Sequence, residues 1–271
     1  MALKKLLMVG FVAAVLVACG DDDSDFATRP DGKESSSSVM SGDSREGSSD
    51  SKSSSSIKSS SSKVPEPEGG VLTDSRDGQT YKTVSIGTQT WMAENLNYET
   101  TNSYCYSDNV SNCTKYGRLY TWAAAMDSVG EWSTNGKGCG YRSICTPTYP
   151  VRGICPEGWH LPEKAEFEKL FNAVDGQSTA AKMLKSSSGW KENKGESGNG
   201  TDAYSFAALP AGNRNQQGDF KGVSEYADFW SATDYEGTTA ELMDLFNNRG
   251  DGMLCYGFNN FGMSVRCVRD E

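Results

Sequence analysis

The chain has 271 residues, with 26 lysines and arginines against 36 aspartates and glutamates, and a formal charge of −10 at pH 7. That balance gives no general attraction for nucleic acid or anionic lipid, so neither is expected as an electrostatic partner. No apolar run reaches the ~20 residues of a membrane-spanning helix.

The first element is a leader. Lys4 and Lys5 precede an apolar run of 13 residues, Leu6 to Ala18, which has the charged start, short apolar body and small-residue exit of a secretory signal. Leu16-Val17-Ala18-Cys19 resembles the bacterial lipobox. That resemblance implies that residues 1–18 are removed, that Cys19 receives a diacylglycerol and acyl chains such as palmitate, and that the mature chain is held in the bacterial cell envelope. An outer-membrane or cell-surface location is preferred over one facing the periplasm. Loss of Lys4 and Lys5 takes the charge from −10 to −12. The other reading is an ordinary leader in which Cys19 is incidental.

Residues 19–70 then read as the lipidated cysteine and a disordered linker. Ser35–Ser38, Ser53–Ser56 and Ser59–Ser62 alternate with Asp, Glu, Lys and Gly, and Phe26 is the only aromatic residue there. Such a segment buries too little apolar surface to offset its ordering entropy, so a tether reaching about 40 Å is expected.

From Val71 the composition changes, and residues 71–271 suit one domain. Tyr81–Ile86 and Gln89–Ala93, joined at Gly87-Thr88, predict a hairpin. Leu119, Trp122, Ala123 and Met126 follow helical spacing and predict a helix within Gly117–Asp127. A second helix starts at Pro162, with Phe167, Leu170, Phe171 and Val174 as its apolar stripe. A third runs near Thr179–Lys185, with Ala180, Met183 and Leu184 inward. Short strands are expected at Tyr204–Leu209, Phe229–Ala232, Ala240–Phe246 and Ser264–Val268. Two or three helices followed by several short strands argue an α+β domain.

Seven cysteines remain once Cys19 is set aside. In an exported chain they read first as disulfides. Cys105 and Cys113, and Cys139 and Cys145, flank small loops and are assigned as local pairs. Seven is odd, so at least one thiol stays single or pairs between molecules. No Cys-x-x-Cys occurs and His160 is the only histidine, so no zinc site is expected.

His160 would have to serve any Ser-His-Asp or Cys-His catalyst. Its place between Trp159 and Pro162, at a helix entrance, instead suggests a ring packed on the core. No phosphate loop, dinucleotide fingerprint or nucleophile elbow is present. No metal or cofactor and no catalytic residue is therefore assigned.

The stretches Thr90–Asn97, Tyr116–Ala125, Cys155–Pro162, Ala208–Gly212, Phe229–Thr233 and Ser264–Asp270 together resemble the Fibrobacter succinogenes major paralogous domain, over roughly residues 74–271. More distantly, His160–Glu168 and Val265–Arg269 are similar to the helix entry and closing strand of formylglycine-generating enzymes. The resemblance implies a C-type-lectin-like fold with a small twisted antiparallel sheet. It also implies a disulfide between Cys155, before the second helix, and Cys267, on the last strand. Cys255 is then left over. The favoured reading is an incidental free thiol, with an intermolecular disulfide and a catalytic thiol as the alternatives. Formylglycine-generating enzymes hold copper on two close cysteines, whereas Cys255 and Cys267 stand twelve positions apart. Typical C-type lectins bind calcium through Glu-Pro-Asn or Gln-Pro-Asp, which do not occur here.

Aromatics in or beside the expected loops remain: Tyr104, Tyr106, Tyr235, Tyr256, Phe258 and Phe261. Of these, Tyr235, Tyr256 and Phe258, with Asn259 and Asn260, are the candidate ligand-binding residues. Ring faces and amides together suit a glycan. The expectation is a non-enzymatic surface module for polysaccharide or an envelope protein. A formylglycine-type oxidase or hydrolase, and a structural envelope protein, are the alternatives.

Overall fold

The computed structural model describes residues 18–19 and 69–271. The leader up to residue 17 and the serine-rich tether over 20–68 lie outside the described residues, as does the side chain of Cys19.

Strand β1 (Ala18–Cys19) is followed by β2 (Gly69–Thr73), β3 (Thr80–Ile86) and β4 (Gln89–Met92). Next come β5 (Ser103–Tyr104), α1 (Val110–Tyr116), β6 (Leu119–Tyr120), α2 (Trp122–Ala125) and β7 (Trp159–His160). Helices α3 (Lys164–Ala173) and α4 (Gln177–Leu184) precede β8 (Asn213–Arg214) and β9 (Phe220–Lys221). The chain ends with β10 (Tyr226–Tyr235), β11 (Thr239–Phe246), β12 (Met253–Phe258) and β13 (Val268–Arg269). One sheet has the order β2-β3-β4-β13-β7 and a second the order β1-β12-β11-β10, and every named pairing in both is antiparallel. The domain is thus mixed α+β, with few helices and small antiparallel sheets.

The predicted hairpin is β3–β4, with Val84 opposite Trp91 and Gly87 in the left-handed region at its turn. The second helix begins two residues later than its proline suggests. Glu163 caps it and Glu166 reaches back to the Glu163 N–H, so Pro162 stands outside. This reciprocal pair satisfies two donors that a helix start leaves open. Phe167, Leu170, Phe171 and Val174 are buried as their spacing required. Each buried side chain of this kind contributes about 1.5–3 kcal/mol. Phe167 stacks on Trp91 at 5.4 Å, which ties α3 to β4.

Strand β11 is buried on both faces. Leu242 on one side joins a core with Trp230, Cys255, Trp122 and Met92, while Met243 and Leu245 on the other join Phe229, Phe171 and Trp91. A strand covered twice reads as a nearly continuous apolar run, which is how Ala240–Phe246 stands out in the sequence.

Three expectations about elements are corrected and one is narrowed. The helix expected within Gly117–Asp127 is the four-residue α2, with Leu119 in β6 ahead of it. Gly117 has φ +76°, Tyr120 pairs with Met263, and Thr121 caps the helical turn through Ala124 N. Helical spacing there records only that Leu119, Trp122 and Met126 are buried. The loop between Cys105 and Cys113 contains α1, capped by Asn109 onto Ser111 N. Of the strand expected at Ser264–Val268, only Val268 belongs to β13; Ser264 makes an isolated bridge. Finally, Tyr204–Leu209 is a loop in which Ser205 and Ala207 adopt positive φ. Phe206 and Ala208 do point inward, but the carbonyls of Phe206 and Ala207 are taken by Arg266 instead of a neighbouring strand.

Strand β12 has no counterpart among the expected elements. Gly257 interrupts its apolar pattern, and is needed where it stands: a Cβ there would lie 2.8 Å from Met263 Cε and 2.9 Å from Leu242 Cδ2. Glycine inside a strand marks such close approaches.

Candidate functional site

Cysteines 105 and 113, 139 and 145, and 155 and 267 form three disulfides. Cys255 is not the free thiol of the parity count: it is disulfide-bonded, and no free cysteine occurs among the described residues.

His160 is a buried structural clamp. Its Nδ1 lies 2.7 Å from Asp270 Oδ1 and its Nε2 lies 3.0 Å from Glu166 Oε1. Burial alone would push the imidazole down. The Glu166 hydrogen bond and charge, joined by those of Asp270, outweigh it and hold the pKa above 6.5. The ring therefore ties β7 and α3 to Asp270, and both of its nitrogens are occupied.

Of the candidate ligand residues, Tyr235 and Tyr256 come together. Their rings stack at 4.4 Å with 15° between planes. Tyr235 is 36 % exposed. The β11 register explains the meeting: Thr239 faces Tyr235 on one side and Phe258 on the other, and Glu241 faces Tyr256. All five then share one sheet face, because side chains two apart on a strand point the same way. Further along that face Met243 packs with α3, so the tyrosines occupy the part that the helix leaves open. Lys164 Nζ lies 3.4 Å from Glu241 Oε1 beside them. Phe258 is half-buried against Phe261, at 5.9 Å. Asn259 is corrected: it is 1 % exposed and belongs to the interior, where its backbone carbonyl accepts from Trp122 N. The turn after β12 folds Asn259 under the sheet end, whereas Asn260 stays half-buried. Tyr104 and Tyr106 are engaged elsewhere, with Arg214 4.0 Å above Tyr104 and Phe220 5.3 Å from Tyr106.

A polar cavity of about 520 Å³ opens between β3, α1 and the 202–209 loop, lined among others by Lys82, Glu94, Asn95, Lys115, Asp202 and Ser205. Asn95 on its wall is a hub. Its Nδ2 donates to Tyr116 O and Ser264 Oγ, and its Oδ1 accepts from Arg266 Nε at 2.8 Å. Arg266 is fully buried, donates also to Phe206 O and Ala207 O, and lies 4.3 Å over the Phe206 ring. Burial lowers its pKa to about 9. Arg266 lies inside the Ser264–Asp270 stretch, where the sequence alone assigns it no role. A guanidinium flanked by Val265, Cys267 and Val268 was the signal, since an arginine placed in an apolar strand needs acceptors brought to it.

A second buried cluster sits in the β10–β11 ladder, where Asp228 faces Asp244 and Asn213 Nδ2 donates to Asp228 Oδ2 at 2.7 Å. Burial pushes both carboxyls up. The charge of Asp228 adds to the effect on Asp244, whereas bonds from Asn213 and Asp244 oppose it on Asp228. The unfolded chain releases these protons near 3.8 and the folded chain at higher pH. The pair's contribution is therefore complete below about 3.8 and is lost as pH rises through the raised folded values. Asp244→Asn keeps a donor toward Asp228 and removes the Asp244 share of that loss. It is expected to gain on the order of 1–2 kcal/mol at pH 7, because a side chain with nothing to ionise no longer draws on folding free energy to stay protonated. Urea midpoints at pH 5 and pH 8 check this; an unchanged pH slope in the variant contradicts it.

The family described as the Fibrobacter succinogenes major domain matches residues 84–269. The chain belongs to that family. The match runs from within β3 to β13 and so takes in β4, β7 and β13 of one sheet, β10 to β12 of the other, α3 and α4, and all three disulfides, leaving β1 and β2 outside it. No curated protein and no solved structure shows a significant match to the chain.

Proposed function

We propose that the protein is an exported lipoprotein, anchored at Cys19, whose family domain binds polysaccharide without enzymatic turnover. The observation that carries the binding role is the Tyr235–Tyr256 stack on the sheet face beyond α3, with Lys164 and Glu241 beside it. Tyrosine offers an apolar ring face and a polar tip, which suits the C–H face and hydroxyls of a sugar. Leu16-Val17-Ala18-Cys19 supports the anchor. We further read the two small sheets, α3 and α4, and the Cys155–Cys267 link as a C-type-lectin-like arrangement, which hosts binders as well as enzymes. A copper-dependent thiol oxidase needs a close pair of free cysteines, and Cys255 and Cys267 are both disulfide-bonded, which favours the binding role.

The test is retention of the full-length protein on insoluble polysaccharides, beside Tyr235→Ala and Tyr256→Ala. Retention of the parent and a loss of about three- to tenfold in each variant is expected, since one stacked ring contributes about 0.5–1.5 kcal/mol. Equal retention of parent and variants refutes the site, and no retention on any polysaccharide refutes the carbohydrate role.

A further inference from the structure

A second cavity, of about 300 Å³, lies between the end of α4, the 193–199 loop and the turn after β11. Its size is at the low end of small-ligand pockets. Lys182 and Lys185 line it together with the amides of Asn193, Asn199, Asn247 and Asn248. Lys185 is 3 % exposed, yet its ammonium has no carboxylate within ion-pair distance among the described residues. Its Nζ donates to Phe246 O at 2.8 Å and Arg249 O at 3.1 Å and sits 5.0 Å over the Trp190 ring. An ammonium has three donors, so one remains beyond those two carbonyls. Two neutral carbonyls repay the burial of a full charge only in part. Burial accordingly lowers the Lys185 pKa to about 8.

The other charges around the cavity point the same way. Lys182 is exposed at the rim, one helical turn before Lys185. Arg249 is already paired with Asp251 at 2.6 Å. Glu196 is the one carboxylate on the wall. The site is thus locally cationic on a chain of charge −10, and ringed by amides, of which Asn199 Oδ1 already accepts from Trp190 N and Asn247 Nδ2 already donates to Lys191 O.

We propose that this cavity binds a small polyhydroxy carboxylate, the chemistry of a hexuronate sugar. Lys185 and Lys182 take the carboxylate, and the asparagine amides take the hydroxyls. This site is separate from the tyrosine stack and stands without it.

Calorimetric titration of the full-length protein with sodium galacturonate, galactose and sodium acetate tests the proposal. Galacturonate is expected to bind at least tenfold more tightly than either of the others, since galactose lacks the anion and acetate lacks the hydroxyls. Lys185→Met is expected to weaken galacturonate at least tenfold. Lys182→Glu reverses a rim charge without touching the core, so it reads the site even where the Lys185 variant fails to fold, and the same loss is expected. Galacturonate binding no tighter than acetate or galactose, or unchanged in Lys182→Glu, overturns the proposal. Loss of polysaccharide retention in Tyr235→Ala with galacturonate binding intact separates the two sites.

Discussion

Replacing Cys155 and Cys267 together by alanine is expected to lower the unfolding free energy by about 4–5 kcal/mol, the largest effect among the three described disulfides. The bond spans 112 residues, and in the chain-entropy model a closed loop of that size restricts the unfolded chain by about 4.7 kcal/mol. The bonds across 8 and 6 residues are each worth about 2.5 kcal/mol on the same scale. Both sulfurs of the long bond are also fully buried, so their removal leaves a small void in the core. The bond fixes Cys267 just before β13, a strand of two residues that lies between β4 and β7. Val268 alone pairs with both Trp91 and His160. Without the covalent link, that short strand has to be recruited from the far end of the chain. Urea unfolding of the full-length double variant, beside the Cys105/Cys113 double variant, checks the ranking. A loss no greater than that of the short-loop variant contradicts it.

Arg266→Met is expected to cost about 3–5 kcal/mol. It removes three donated bonds and leaves Asn95 Oδ1, Phe206 O and Ala207 O buried without them. Each orphaned acceptor costs about 1–3 kcal/mol. Relief of the buried charge returns part of that, because the groups that the guanidinium bonds directly are neutral, while the carboxylates of Asp202 and Glu94 act on it only through their charge. Arg266→Lys is expected to rescue little, since one ammonium does not reproduce a planar fork that spans three acceptors. The loop over 202–207 should loosen first, because Asp202, Ser205 and Ala207 hold positive φ there, a conformation that persists only where surrounding contacts impose it. Chemical unfolding measures the cost, and amide exchange at Phe206 and Ala207 reads the loop. A midpoint within 0.5 kcal/mol of the parent, as for an ordinary surface change, refutes the hub.

Elements whose information is local were legible. The β3–β4 hairpin follows from period-two burial and a turn glycine, α3 from its stripe of Phe167, Leu170, Phe171 and Val174, and the two short disulfides from loops of a few residues. Other features mimicked a local pattern. Leu119, Trp122 and Met126 repeat at helical spacing because each is buried, although a strand and a short helix present them. Tyr204–Leu209 alternates like a strand, but has Arg266 as its partner.

The sequence by itself determined the family and which stripes of α3 and β11 face a core. Periodicity and composition report whether a side chain leaves water, and that is all these features require. The tertiary structure alone decided what each buried polar group meets. Arg266 finds Asn95 across 171 residues, Tyr235 finds Tyr256 across an intervening strand, and Lys185 is enclosed by carbonyls about 60 residues away. Those meetings depend on sheet register and on close approaches such as that at Gly257, which no local spacing encodes. Both candidate sites arise there, where one strand face goes uncovered and one lysine is buried without its counter-charge.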